Sequence, residues 1–232
     1  MNTARQGERV AVLASGGLDS SVLIADLARQ HTVLPVYCRG GLRWESLERS
    51  ALNSYLRALD SPHVQPLTVL EAPTEALYGA HWSTTSRAVP DATSADDEVY
   101  LPGRNIILIG LTAVWCTLHD IHTIAIGSLA DNPFPDATDD FFHQYGRTLS
   151  AGLKTELSIH APYRSRPKHQ IIAEFAHLPL HLTLTCLDPR PGRDGPLHCG
   201  NCNKCAERRH AFAQAAVEDR TSYAHLPALH RK

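Results

Sequence analysis

At 232 residues and a formal net charge of -2, the chain is long enough to bury the core of one α/β domain with a small appendage, and it carries no global basic field. That balance sets nucleic acid aside as an expected partner, although a local patch such as Arg208-Arg209 stays open. No apolar run approaches the roughly 18 residues of a membrane span, and Met1-Asn2-Thr3-Ala4-Arg5-Gln6 has no signal-peptide core, so no membrane association and a cytoplasmic location are expected.

The apolar run at residues 10–13 reads as a short buried strand and residues 22–28 as a helix. Between them stands Ala14-Ser15-Gly16-Gly17-Leu18-Asp19-Ser20-Ser21. Strand, glycine turn and helix make a phosphate-binding geometry. Adjacent glycines let the backbone come close to an anion, and the first N–H groups of the helix, with its dipole, point at it. The hydroxyls of Ser15, Ser20 and Ser21 add short donors. The competing reading is an ordinary turn with Asp19 or Ser20 as helix N-cap. The Lys and spacing of a Walker loop are missing.

Residues 32–37 read as a second strand entering a polar loop, Cys38-Arg39-Gly40-Gly41; Trp44, Leu47, Ala51, Tyr55 and Leu59 then repeat at helical spacing as a core stripe. Residues 64–70 form a third strand whose Pro66 points to an edge position or an interruption. Residues 71–100 break the rhythm with Pro73, Pro90 and the acidic run Asp96-Asp97-Glu98, and a connection this long is expected to act as a lid over the phosphate site. Leu101-Pro102-Gly103-Arg104-Asn105 leads into an almost wholly apolar helix at 106–118, which is expected to be buried; its start either brings Arg104 and backbone donors to a phosphate or carboxylate or is a solvent-exposed Pro-Gly turn, and spacing alone does not choose.

Residues 121–126 read as the fourth strand, ending in Gly127-Ser128 and a polar loop in which Asp131 and Asp136 are site candidates or loop caps. Phe141, Phe142, Tyr145 and Leu149 mark an amphipathic helix, residues 157–162 a fifth strand, and Pro167 a helix start that places Lys168 where a cation needs an anion to offset the dipole. The alternation implies an α/β fold with a doubly wound, mainly parallel five-stranded sheet.

Six cysteines in a reducing compartment argue for metal or catalysis over disulfides, and four of them crowd into residues 186–205. Cys199, Cys202 and Cys205 at C-x-x-C-x-x-C spacing, with Cys186 ahead of a Gly/Pro-rich loop, suit a closed tetrahedral site. Zinc is the first choice and an iron–sulfur cluster the competitor. His198 and His210 are spare donors, whereas Cys38 and Cys116 are not expected to be ligands. The division expected is residues 1–180 as a nucleotide domain, with 71–100 inserted, and residues 181–232 as a small zinc-binding subdomain.

Ser-Gly-Gly-Leu-Asp-Ser at 15–20 resembles the pyrophosphate loop (PP-loop) of the N-type ATP pyrophosphatases. Together with Pro-Gly-Arg-Asn at 102–105 and the cysteine cluster, it resembles the 7-cyano-7-deazaguanine synthase (QueC-like, ExsB-like) family over nearly the whole chain. The resemblance implies an ATP-dependent carbon–nitrogen ligase that adenylates 7-carboxy-7-deazaguanine, takes ammonia to give the amide, and activates the amide again to give the nitrile. It implies structural zinc, magnesium with ATP, and a homodimer. It puts Ser15, Gly16, Gly17, Leu18, Asp19, Ser20 and Ser21 around the phosphates and Gly103, Arg104 and Asn105 at the nucleotide or substrate pocket. It makes Asp19, Lys168 and Asp136 the catalytic candidates and Cys186, Cys199, Cys202 and Cys205 the metal ligands. The chain departs from the family's D-Y-G-Q and G-Y-P-D-C-R segments at 38–41 and 132–138. A relative that amidates or conjugates another carboxylate, a tRNA thiolase-like enzyme, and a zinc-ribbon adaptor with a degenerate nucleotide domain are the alternatives.

Overall fold

Val10 and Val12 face one apolar core while Ala11 and Leu13 face another, so the period-two alternation of a strand buries both sides of this run. The run is β1 (Arg9–Leu13), the central strand of a five-stranded sheet with β2 (Thr32–Arg39), β3 (Thr68–Glu71), β4 (Thr123–Ala125) and β5 (Ser158–His160). All neighbours are parallel and the order is β3-β2-β1-β4-β5. The structure, a computed structural model, describes residues 7–85 and 87–226. The N-terminal segment read for a signal peptide, residue 86 of the expected lid and the last residues of the expected zinc subdomain lie outside the described residues.

Helices cover both faces, as expected for a doubly wound sheet. On one side α1 (Leu18–Leu27), α2 (Glu45–Leu59), α7 (Lys168–Glu174) and α8 (Asn203–Gln214) pack through Leu23, Leu52, Ile171 and Phe212. On the other, α5 (Arg104–Leu118) and α6 (Asp139–Leu153) pack through Ile109, Ala113 and Phe142. Two short turns of helix, α3 (Glu75–Tyr78) and α4 (Trp82–Thr85), fall in the 71–100 segment. A small antiparallel hairpin of β6 (Arg190–Pro191) and β7 (Pro196–Leu197) spans the loop between the first and second clustered cysteines.

One open reading is decided and two expectations are corrected. The third strand is split: Val64 makes an isolated bridge to Val33, and Pro66, which has no N–H to donate, lies in the gap before β3 begins at Thr68. The fourth and fifth strands are three residues each, shorter than their apolar runs. The apolar helix is not wholly buried, because Ile106, Val114 and Leu118 on one face of α5 are 45%, 46% and 77% exposed. A helix on the outside of a sheet buries one stripe and leaves the other, whatever its composition. Residues Asp96–Leu118 are together long and apolar enough to match a membrane span by length and composition. The continuous helix α5 is only 15 residues, about 22 Å and short of the ~30 Å apolar thickness of a bilayer.

Candidate functional site

The strand order reverses between β1 and β4, and the loops leaving their carboxyl ends meet there, the place where open α/β sheets bind ligands. Gly127, just past β4, lies so close to the first loop that a Cβ there would stand 2.9 Å from the Asp19 carbonyl carbon and the Ser20 nitrogen. Gly16 has φ +73°, and a Cβ on it would stand 2.7 Å from the Glu48 carbonyl oxygen. Both glycines are therefore required by backbone approach, and Gly16 by its left-handed turn as well.

Gly17, extended and without a side-chain cap, is the N-cap of α1, so Asp19 and Ser20 do not serve as caps. Ser15 and Ser20 knit the turn: the Ser15 amide donates to Ser20 Oγ at 3.2 Å, the Gly17 amide donates to Ser15 Oγ at 3.2 Å, and the two hydroxyls are 3.1 Å apart. Ser15, Gly17, Leu18, Asp19 and Ser20 all line a cavity of about 310 Å³. Gly16 lies behind the turn and Ser21 is fully buried, its hydroxyl unpartnered among the described residues, and neither is on the cavity wall.

Arg104 and Asn105 reach the same cavity from the start of α5, where Gly103 supplies the left-handed cap at φ +73°. Asp136 is not on that wall. It is buried and accepts from the Asn105 backbone N–H at 3.0 Å, while the Asn105 side-chain amide donates to the Asp136 carbonyl at 2.9 Å. It ties the loop after β4 to the helix that presents Arg104. Burial raises its pKa against the Asn105 bond. Asp131 is exposed and borders a second cavity of about 500 Å³.

The two cavities meet at a charge cluster. Lys168, the first residue of α7, ion-pairs with Asp19 at 3.3 Å and with Glu207 of α8, which also pairs with Lys204 at 2.5 Å. Burial alone pushes the Lys168 ammonium down, but Asp19 and Glu207 overcome it and hold it above its ordinary value. Burial likewise works against Glu207 and loses to Lys168 and Lys204, leaving that carboxyl at about 2. At Asp19 burial wins over Lys168 and raises the carboxyl, and its second oxygen is buried with no hydrogen-bond partner among the described residues. An orphaned carboxylate oxygen beside a phosphate loop fits a divalent cation.

Sequence reasoning missed Lys204, Glu207, Tyr37, Trp44, Trp82 and Glu48. The i,i+3 pair Lys204/Glu207 reads as an ordinary surface salt bridge until Lys168 is set beside it. Glu48 lies one turn into α2 and accepts from the Tyr37 hydroxyl at 2.6 Å. Burial lifts it to about 7.

The four clustered cysteines are buried, and their sulfurs lie within 4.8 Å of one another. Two of the separations are 3.8 Å and 3.9 Å, matching the edges of about 3.8 Å that four Zn–S bonds of about 2.3 Å require. Backbone N–H groups of Leu187, Asp188, Cys199 and Asn201 donate to the sulfurs at 3.2–3.4 Å, as they do to thiolates. His198 is not a fifth donor, because its Nε2 accepts from the Thr185 amide at 3.0 Å. The cysteines share an apolar cluster with Trp44, Trp82, Val99 and Leu184, so the tetrad backs the cavity wall. The 71–100 segment is pinned to it: the Asn203 amide donates to the Pro90 carbonyl, and the Asn203 side chain to Ser94 and Asp96.

The profile of the family described as "Queuosine biosynthesis protein QueC" matches residues 9–216, most of the chain. The chain is similar to 7-cyano-7-deazaguanine synthase 1 of Sphingopyxis alaskensis, 32% identical with 94% of this chain and 99% of that one covered. It is similar to the 7-cyano-7-deazaguanine synthases of Methylobacillus flagellatus, at 28% with 94% and 96% covered, and of Methanocaldococcus jannaschii, at 29% with 93% and 99% covered. The chain belongs to the QueC family. Residues 38–41 and 132–138 supply Cys38, Asn132 and Phe134 to the cavity, and their neighbours Trp44 and Ser128 line it as well. Arg39 turns away from it to an exposed ion pair with Glu71 at 3.2 Å.

Proposed function

We propose that the chain is an ATP-dependent ligase that converts 7-carboxy-7-deazaguanine and ammonia into 7-cyano-7-deazaguanine. The observation that carries this reading is that the PP-loop, through Ser15 and Gly17 to Ser20, and the Arg104-Asn105 step line one cavity. In that cavity the substrate carboxylate attacks the α-phosphorus of ATP and pyrophosphate leaves. Ammonia then attacks the acyl carbon, and AMP departs with the former carboxylate oxygen, leaving the amide. A second activation, at the amide oxygen, expels that oxygen on AMP as the nitrile forms.

The PP-loop backbone and Ser15 hold the departing pyrophosphate. Lys168 and Arg104 offset negative charge building at the α-phosphate, and Asp136 acts by fixing Asn105. Asp19 would hold magnesium, which supplies further charge neutralisation when bound. The Cys186, Cys199, Cys202 and Cys205 site would hold zinc as a staple behind the wall, closed to water. We assign residues 1–180 as the ATP domain, residues 71–100 as a lid carrying Trp82 and Val99, and residues 181–232 as the zinc subdomain. The reading includes a homodimer in the cytoplasm, which sedimentation and fractionation test.

Purified protein incubated with the acid, ATP, magnesium and ammonium is expected to give the nitrile by mass spectrometry, with AMP. Release of AMP with neither amide nor nitrile overturns the reading.

A further inference from the structure

Glu48 is a buried carboxyl on the cavity wall with a single hydrogen-bond donor, and the Arg104 guanidinium acts on it only through space. Its carboxyl is more than nine-tenths buried, one oxygen accepts the Tyr37 hydroxyl at 2.6 Å, and no other side-chain bond or ion pair to it is present among the described residues. Its neighbour one turn earlier is different: both oxygens of Glu45 are occupied, by the Gly40 amide at 2.6 Å and the Gly41 amide at 3.1 Å. Glu45 thus builds the loop after β2, while Glu48 faces the cavity between the PP-loop turn and Trp44. A buried carboxylate with one donor is under-satisfied, and burial accordingly lifts it to about 7. Such a group calls for donors brought by a ligand.

The ligand is flat. Trp44 and Trp82 stack on each other with ring centroids 5.6 Å apart and an interplanar angle of 20°, and both line the cavity beside Glu48. The indole N–H of Trp82 is buried without an acceptor among the described residues, a donor that an acceptor on a bound ring would satisfy. Two flat heterocycles enter this cavity in the proposed reaction, adenine and the deazaguanine. They differ at the edge a carboxylate would meet. The 2-amino-lactam of deazaguanine presents an N–H and an amino group side by side, two parallel donors that match two carboxylate oxygens, with the lactam oxygen next to them as an acceptor. Adenine presents its amino group beside a ring-nitrogen lone pair, which an ionised carboxylate repels.

We propose that Glu48 is the specificity-determining residue of the site: it accepts the lactam N–H and 2-amino group of the 7-deazaguanine ring lying against the Trp44–Trp82 wall. This rests on the function proposed above and adds which residue reads the base edge. Pyrrolopyrimidine acids without a 2-amino group are then poor substrates, because they keep the lactam N–H but leave this buried carboxylate short of its second ligand donor.

The test compares 7-carboxy-7-deazaguanine with its 2-desamino analogue, by AMP release under matched ATP, magnesium and ammonium. Wild-type protein is expected to favour the 2-amino acid by about 10²-fold or more in kcat/KM. Glu48→Gln, which keeps the shape and loses an acceptor, should shrink that preference to about 10-fold or less, with the KM for ATP within about twofold of wild type. Tyr37→Phe, which keeps the carboxylate but frees it from its one partner, should reduce the preference by a smaller factor and covers the case of a poorly folded Glu48 variant. A merely structural Glu48 would alter both acids equally. An unchanged preference ratio in both variants, or a rise in the KM for ATP in place of that for the acid, overturns the inference and leaves the proposed function standing. Failure of the wild type to release AMP with either acid overturns the proposed function, and this inference with it.

Discussion

Two clusters of buried polar groups flank the cavity, and they are built in opposite ways. The cysteine tetrad draws its members from 20 consecutive residues, Cys186 to Cys205, and is spaced so that a hairpin and the first turn of α8 fold them around one point. The cluster of Asp19, Lys168, Lys204 and Glu207 draws on the starts of three helices, α1, α7 and α8, that no local spacing relates. The tetrad needs an ion from outside to neutralise it, whereas the second cluster carries two cations and two anions and balances itself, apart from the one empty oxygen of Asp19. Metal removal should therefore cripple the first cluster's stability, and substitution of the central lysine the second cluster's chemistry.

The largest effect is expected at the tetrad. Cys202→Ser removes one of four donors from a site whose binding energy, in small zinc-folded units, is of the order of 10–16 kcal/mol. Forfeiting even about 4 kcal/mol of it lowers the melting temperature of a domain this size by roughly 10 °C. Zinc per chain by mass spectrometry and the melting midpoint read this directly. Full metal retention with an unshifted midpoint would end the tetrad's candidacy as a metal site.

Lys168→Met comes next. It leaves Asp19 and Glu207 facing each other without their shared cation, a cost of about 3–5 kcal/mol for a broken buried pair, and it should slow AMP formation by about 10²-fold or more. Adding Glu207→Gln should restore part of the stability, seen as a higher urea midpoint, and none of the rate. Were the double variant to recover the rate, Lys168 would be a structural counter-ion only.

The same contrast explains what the sequence made legible. The tetrad, the PP-loop turn and the helix start at Arg104 each sit within a few residues, and glycines, prolines and cysteines mark such local geometry strongly. The apolar runs and helical spacings placed five strands in a parallel sheet, with the third, fourth and fifth drawn too long or too early. The exposed stripe of α5 was illegible because its residues are as apolar as its buried ones, and only the sheet decides which face is covered. Asp136 read as a candidate from its loop, yet a carboxylate that caps a neighbouring helix has the same one-letter signature as one that faces a ligand. Lys204, Glu207 and Glu48 stand on ordinary amphipathic helices, and their roles come from tertiary partners.

Glu48 and Glu207 sharpen the comparison, since a buried glutamate and a partly exposed one are moved in opposite directions. Lys168 and Lys204 hold Glu207 down at about 2, whereas at Glu48 burial outweighs the Arg104 charge and the Tyr37 hydrogen bond and lifts the carboxyl to about 7. For Glu48 the folded state keeps its proton longer than the unfolded chain does. Its relative stabilisation is full below about 4.5 and is lost as pH rises through about 7. That amounts to about 3 kcal/mol across the interval. Glu48→Gln should flatten this part of the stability curve, measured by urea midpoints at pH 5 and pH 8. Glu207 has the reverse sign: its contribution is present above about 4.5 and fades as pH falls toward about 2. An equal pH slope in the wild type and the Glu48 variant would show that this carboxyl finds a partner in solution.

The smallest effect tests how the non-local cluster is assembled. Asp19 is held where Gly127 lets the loop after β4 pass against the backbone of α1, and a Cβ there would meet backbone atoms at 2.9 Å that no side-chain rotation can move. Gly127→Ala should cost about 1–3 kcal/mol as an overpacked contact and raise the KM for ATP by shifting the first turn of α1. Gly152→Ala, in α6 with nothing within 4 Å of the added methyl, is the control. It should be neutral or stabilising by about 0.4–1 kcal/mol. If both alanines behaved alike in urea midpoint and ATP KM, the close approach of the two loops would carry no part of the phosphate site. If only Gly127 moves them, the backbone contact at the strand crossover, more than any side chain, sets where Asp19 stands.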